Sequence, residues 1–247
     1  MIRSVWVILN LIVVTIPLAL VIIVASFFRN APESIYDGIP RIWAGWMLRV
    51  SGVRVQAFGL AHIPMGSPVI FIANHASWFD VLALACVIPK RYRFVGKKEL
   101  TRVPLWGRAW QAAGHIAIDR SDTQRAVESL DRAARLVRED RSSIIIFPEG
   151  TRSPDGQLQP FKKGAFMLAL HTGIDIIPVA LQGTRALLAK GSWRVRPGRI
   201  IVRFGSPIVA ASHSVDTRDD LMAQVRTGIQ SMLDAPAPGT SESDVGH

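Results

Sequence analysis

One apolar run near the start of the chain constrains it more than any other feature. Residues Val5 to Phe28 are hydrophobic except for Asn10, Thr15, Pro17 and Ser26. As a helix rising ~1.5 Å per residue, such a run reaches ~36 Å, enough to cross a ~30 Å hydrocarbon core. A secretory leader fits it less well, because a leader's apolar core spans only ~7–15 residues and no small-x-small cleavage site follows here. Trp6 near one end and Phe27, Phe28 and Arg29 at the other suit interfacial anchors. Arg3 alone precedes the run, whereas Arg29, Arg41, Arg49 and Arg54 follow it. That bias predicts the bulk of the chain on the cytoplasmic side, and the membrane expected is a cell inner membrane or plasma membrane. The next segment, Ile35 to Val50, sets Tyr36, Ile39, Ile42, Trp43, Trp46, Met47 and Val50 at rough helical spacing, with Arg41 and Arg49 off the stripe. Two arrangements stay open: a spanning helix followed by a surface helix, or a helical hairpin lying in one leaflet.

Beyond this start the pattern alternates. Val53 to Phe58, Val69 to Ala73, Tyr92 to Val95, Ser143 to Phe147, Ile176 to Leu181 and Arg199 to Phe204 read as strands. Val81 to Ile88, Thr123 to Glu139 (capped by Ser121 or Asp122), Lys163 to Thr172 (stopped by Gly173) and Val215 to Leu233 read as helices. Strands alternating with helices predict an α/β fold with a covered sheet. The chain divides into a membrane-anchoring segment, 1–51, a globular domain, 52–234, and a Pro- and Ser-rich tail, 235–247, expected to be disordered.

Charge narrows the partners. The formal net charge of the 247 residues is +10, which favours nucleic acid, an anionic membrane face or a phosphate-bearing substrate without choosing among them. A lone cysteine, Cys86, excludes an intrachain disulfide and a zinc module built on several cysteines. It lies in an apolar helix and reads as core rather than nucleophile.

Three clusters carry chemistry. Asn74-His75-Ala76-Ser77-Trp78-Phe79-Asp80 follows an apolar strand and precedes an apolar helix, where α/β sheets build their sites. Histidine suits proton transfer near neutral pH, and a carboxylate can fix its tautomer. Five helical residues turn about 500°, so the two side chains meet only if His75 sits in the turn before the helix. The residues alone leave two readings: a catalytic pair, or a locally satisfied histidine beside a capping aspartate. Phe147-Pro148-Glu149-Gly150-Thr151-Arg152-Ser153 also follows a strand and reads as an anion cradle or as a surface turn. In Gly114-His115-Ile116-Ala117-Ile118-Asp119-Arg120 a short strand delivers Arg120 from its end, and Lys97 and Lys98 offer further positive charge. No Gly-x-Ser-x-Gly elbow, Walker lysine loop or Rossmann glycine fingerprint is present.

In order, Asn-His-x-x-x-x-Asp, Ile-Asp-Arg, Phe-Pro-Glu-Gly-Thr-Arg-Ser and Ile-Pro-Val resemble the motifs of the glycerolipid acyltransferases, over about Val53 to Pro207. The resemblance implies a mixed sheet flanked by helices, of the glycerol-3-phosphate acyltransferase type, preceded by a membrane-associated helical hairpin. It implies transfer of a fatty acyl group from acyl-CoA or acyl-carrier protein to the free hydroxyl of 1-acylglycerol-3-phosphate, giving phosphatidic acid. Glycerol-3-phosphate, lysophosphatidylglycerol or a lyso-ornithine lipid is the alternative acceptor. From another class, a non-catalytic basic membrane-tethered binding protein would leave His75 and Asp80 idle. By resemblance His75 is the general base and Asp80 its partner. Lys97, Arg120, Glu149, Gly150, Thr151 and Arg152 bind the acceptor phosphate, and Pro178 serves the acyl side or packing. The expected partners are a lysophospholipid, the acyl thioester and membrane lipid, without nucleic acid, metal or bound cofactor.

Overall fold

The computed structural model describes residues 1–119, 132–135, 137 and 139–236. Most of the helix expected over Thr123 to Glu139, including its cap, lies outside the described residues, as does the tail beyond Pro236; residues 132–135 are helical.

Seven strands form one mixed sheet: β1 (Val53–Phe58), β2 (Ile70–Ala73), β3 (Tyr92–Lys97), β4 (Ile116–Ile118), β5 (Ser143–Ile146), β6 (Ile176–Gln182) and β7 (Gly198–Phe204). Their order is β1-β7-β6-β2-β5-β3-β4. The five strands from β6 to β4 are parallel; β7 runs antiparallel to β6, and β1 parallel to β7. The central strands β2 and β5 are Ile-rich and buried throughout, the pattern of strands covered on both faces. Side chains alternate across them. Phe71, Ile145 and Ile177 enter one core layer beneath α3 (Trp78–Val87), together with Leu84. Ile70, Ile72, Ile144 and Ile176 enter the other, against Phe166 of α5 (Gly164–Thr172) and Val225 of α7 (Arg218–Asp234), with the short α6 (Thr184–Leu187) between these two helices in sequence. Gly173 terminates α5 at φ 68°, as expected of a glycine stop. Phe71 is fully buried and meets Phe204 edge to face at 5.9 Å. Phe71→Ala is expected to cost about 3–5 kcal/mol, read as a lowered midpoint in denaturant unfolding of the detergent-solubilised protein.

The N-terminal segment is a helical hairpin. The first helix, α1 (Ile2–Ala25), holds an 18-residue stretch with a mean hydropathy of 3.0. It begins before Val5 and ends three residues short of Phe28. The second, α2, spans Glu33–Val50. Two polar breaks in the apolar run have partners across the hairpin. Trp43 Nε1 donates to Thr15 Oγ1 at 2.9 Å, and Trp46 Nε1 donates to Asn10 Oδ1 at 3.2 Å. Ascending α1 therefore descends α2, an antiparallel pair. The helix α1 is also fastened to the sheet domain at its start: Arg3 Nη1 donates to Ser51 O, and Val195 N donates to Ser4 Oγ at 3.0 Å. Near its far end Ala19 and Ile22 pack on Ala109 of α4 (Trp106–Ala112). The outward face keeps Trp6, Leu9, Val13 and Leu20 exposed.

Candidate active site

Because β2, β3, β4, β5 and β6 are parallel, their carboxyl ends share one edge, and the loops after β2 and β5 that carry His75 and Glu149 leave from that edge. His75 sits in the turn between β2 and α3, the one placement that lets it reach Asp80. Ser77 caps α3: its Oγ accepts from Phe79 N at 3.2 Å, and Asp80 returns to Ser77 N at 2.7 Å. The helix thus starts at Trp78, three residues ahead of the expected Val81. The same carboxyl oxygen, Asp80 Oδ2, meets His75 Nδ1 at 2.8 Å and accepts from Ala76 N at 2.7 Å. Asp80 is wholly buried, and its Oδ1 has no hydrogen-bond partner. Capping and pairing, separate alternatives in the sequence, are one arrangement here. An ionised aspartate at Nδ1 selects the tautomer with the proton on Nδ1, which leaves the Nε2 lone pair available. The ring is stacked on Phe147 at 4.1 Å and 18°, and its side chain is 15% exposed.

Glu149 departs from the phosphate-facing position expected of it. It is 4% exposed, and both oxygens receive backbone N–H groups: Oε1 from His75 at 2.7 Å and Oε2 from Gln159 at 3.1 Å. A carboxylate so engaged braces the His75 backbone and does not present itself to an anion. Burial pushes its pKa up to about 7, against the two backbone donors; the Asp80 charge adds to the rise, and Arg226 opposes it. Arg226, on α7, holds the adjoining loop, donating to Gln159 O at 2.7 Å and Leu158 O at 2.8 Å. Ser153 N closes the circuit on His75 O at 2.7 Å.

The remaining expected residues divide. Gly150 takes φ 74°, and a Cβ there would lie 2.9 Å from Lys162 Cε. Thr151 Oγ1 receives Lys190 Nζ at 3.2 Å. The Arg152 guanidinium lies 5.2 Å from the centroid of the Trp78 ring. Arg152 thus borders the first turn of α3, with Lys162 and Lys190 adding charge that the sequence reading missed. Only the fold brings these two lysines to the loop. Lys97 ends β3 at the same edge, but its side chain is exposed and pairs with Glu99 at 3.2 Å. Arg120 lies outside the described residues; its neighbour Asp119 pairs with Lys98 at 3.1 Å. Pro178, within β6, packs towards α7, where Gly228 lets the helix approach it. His115 accepts Phe94 N at 3.1 Å, and burial, with Arg93 adding, holds its pKa down to about 3, so it stays neutral. Cys86 is half-buried with its thiol pushed up to about 11 by burial, which disfavours a thiolate. On the hairpin side, an apolar cleft lined by Leu18, Ile22, Trp43, Val81, Phe94 and Trp110 opens one residue past Asp80 along α3.

A family model described as Acyltransferase matches residues 54–182. The 1-acyl-sn-glycerol-3-phosphate acyltransferase of Haemophilus influenzae is 32% identical over 200 residues, covering 79% of this chain and 80% of its own. That of Limnanthes douglasii is 39% identical over 184 residues, 74% of this chain; the match spans 65% of the plant protein's length. The crystal structure of the 1-acyl-sn-glycerophosphate acyltransferase of Thermotoga maritima superposes with a TM-score of 0.79 at 24% identity, over 96% of this chain and 97% of that one. The similarity to that structure supports the mixed α/β fold with its N-terminal apolar helix.

Proposed function

Since the chain belongs to the acyltransferase family, we propose that it transfers a fatty acyl group from an acyl thioester to the free hydroxyl of 1-acylglycerol-3-phosphate, giving phosphatidic acid. The observation that carries this reading is the 2.8 Å contact between His75 Nδ1 and Asp80 Oδ2 in the turn between β2 and α3. The acceptor hydroxyl gives its proton to His75 Nε2 and attacks the thioester carbonyl directly. A C–O bond forms, the C–S bond breaks as the tetrahedral intermediate collapses, and the proton passes from His75 to the departing thiolate. No covalent enzyme intermediate and no metal enters. Base catalysis accounts for about 10²- to 10⁴-fold, with positioning and oxyanion stabilisation contributing the rest. Arg152, Thr151 and Lys97, joined by Arg120, hold the acceptor phosphate. The apolar cleft takes the acyl chain, and acyl-CoA or acyl-carrier protein supplies it.

Membrane attachment follows from the hairpin. A helix fastened to the sheet domain through Ser4 at one end and Ile22 near the other lies along that domain. Such a helix cannot leave it to cross the bilayer, so it rests in one leaflet with Trp6 and Val13 outward. The basic excess after α1 favours the cytoplasmic leaflet.

A panel of lysolipids assayed with one radiolabelled acyl-CoA tests the acceptor. Turnover is expected to be at least about tenfold faster with lysophosphatidic acid than with lysophosphatidylglycerol or lysophosphatidylcholine, the size of a modest difference in transition-state binding. Faster turnover with any other acceptor would refute the acceptor assignment and leave acyl transfer standing.

A further inference from the structure

We propose that the rim of the sheet where β1 and β7 begin is a second membrane contact, selective for anionic phospholipid headgroups. The proposal deepens the membrane reading above and rests on it. β1 and β7 are parallel, with Val53 opposite Gly198 and Arg54 opposite Arg199, so the two arginines emerge on one face as neighbours. Both are exposed. Like charges set opposite each other on adjacent strands are destabilising, and a nearby anionic surface removes that cost. Arg49, at the end of α2, lines the same surface groove as Arg54. Arg194 and Arg196 are exposed in the loop that leads into β7, next to Trp193, itself 47% exposed.

Among the described residues nothing on this rim neutralises the charge. No Asp or Glu occurs between Asp37 and Asp80, or between Asp175 and Asp216, the two stretches that build the rim. Among the described residues none of the five guanidinium groups has a side-chain partner. The rim is also continuous with the apolar hairpin. Val195 N reaches Ser4 Oγ, Gly198 N donates to Gly52 O at 3.2 Å, and Arg3 reaches Ser51 O. Exposed Ile2, Val5 and Trp6 follow directly along α1. A cationic loop carrying a tryptophan beside an apolar helix matches the layering of a membrane surface: phosphates over the arginines, the indole at headgroup depth, acyl chains against the helix. Nucleic acid or an acidic carrier protein would satisfy the charge and leave the adjoining apolar surface uncovered.

The test uses the full-length protein, added from detergent to vesicles of phosphatidylcholine alone or mixed with phosphatidylglycerol, with binding read by sedimentation. Wild type is expected to bind both, and the anionic vesicles more tightly. The triple substitution Arg194→Gln, Arg196→Gln, Arg199→Gln is expected to lower binding to the anionic vesicles about 100-fold, at roughly a factor of five per basic residue near the surface. Binding to phosphatidylcholine and turnover in detergent micelles stay as in wild type, which shows that the variant is folded. High salt is expected to erase the difference. If the variant binds anionic vesicles as wild type does, the proposal is wrong. The same holds if vesicle binding persists and only turnover with a carrier-protein donor is lost. If wild type binds neither vesicle, the membrane reading itself falls.

Discussion

Replacing His75 with alanine is expected to lower kcat/KM by about 10³-fold, within the range that a positioned general base contributes. The side chain is 15% exposed and lies at the rim of the core, so the variant should keep its fold and its affinity for the acceptor. The loss therefore falls on kcat, with KM for the lysolipid little changed, as for an interaction made only in the transition state. Asp80 works through the same imidazole. The double variant His75→Ala, Asp80→Ala should consequently be scarcely slower than His75→Ala alone, because groups that act as a unit are not additive. Asp80→Ala also removes the acceptor for Ala76 N and Ser77 N, so it costs about 1 kcal/mol of stability through the lost cap. Steady-state assays of the three variants beside a thermal melt separate these effects. Independent, multiplicative losses would show that the two side chains do not form a catalytic pair.

Glu149→Gln is expected to reduce kcat about 10²-fold and to change how stability depends on pH. The carboxylate accepts the N–H groups of His75 and Gln159, one on each oxygen. An amide can accept only one of them and turns a donor towards the other, leaving a buried N–H unpaired beside His75. The stability effect has a definite sign. Burial raises the pKa of Glu149 in the folded state to about 7, from 4.5 in the unfolded chain. The folded state thus binds the extra proton. The stability this contributes is fully present below pH 4.5 and is lost as pH rises through 7. Wild type should then lose on the order of 3 kcal/mol relative to Glu149→Gln between pH 5 and pH 8. Denaturant titrations of both proteins at the two pH values measure the difference. Parallel stability profiles would mean that the carboxyl is not held in its uncharged form by burial. Burying a glutamate here costs stability as the pH rises and gains a fixed backbone at His75, an exchange common at functional sites.

Much of the fold was legible because its signals are local. Short apolar runs rich in Ile marked β2, β5 and β6, and Gly173 marked the end of α5. The start of α3 was misplaced because the apolar pattern begins at Val81. The signal that sets it is the capping box of Ser77 and Asp80, which also draws Asp80 back over His75. The helix α4 was missed: Pro104 and Gly107 break its pattern, and its burial against Ala19 and Ile22 is a contact at long range. At the site, the His75 and Asp80 geometry followed from position in a turn. The place of Glu149 did not. Its partners lie 74 residues before it, at His75, and 10 after, at Gln159. A motif read as a string cannot tell a residue that faces the substrate from one that supports its neighbour. Arg226 had no signal at all, since an arginine on an amphipathic helix usually meets solvent.

The fastening of α1 along the sheet domain sets how an enzyme of this build meets its substrates. On the one-leaflet placement and the reaction proposed above, a helix held at Ser4 and near Ile22 sets the carboxyl edge of the sheet at one fixed height above the lipid plane. An acceptor that arrives within that plane is encountered by lateral diffusion, so its supply is measured in mole fraction per unit of surface, not in molarity. The thioester donor arrives from the aqueous side in three dimensions. One site therefore joins two reservoirs of different dimensionality, and the composition of the leaflet becomes a kinetic variable of the reaction.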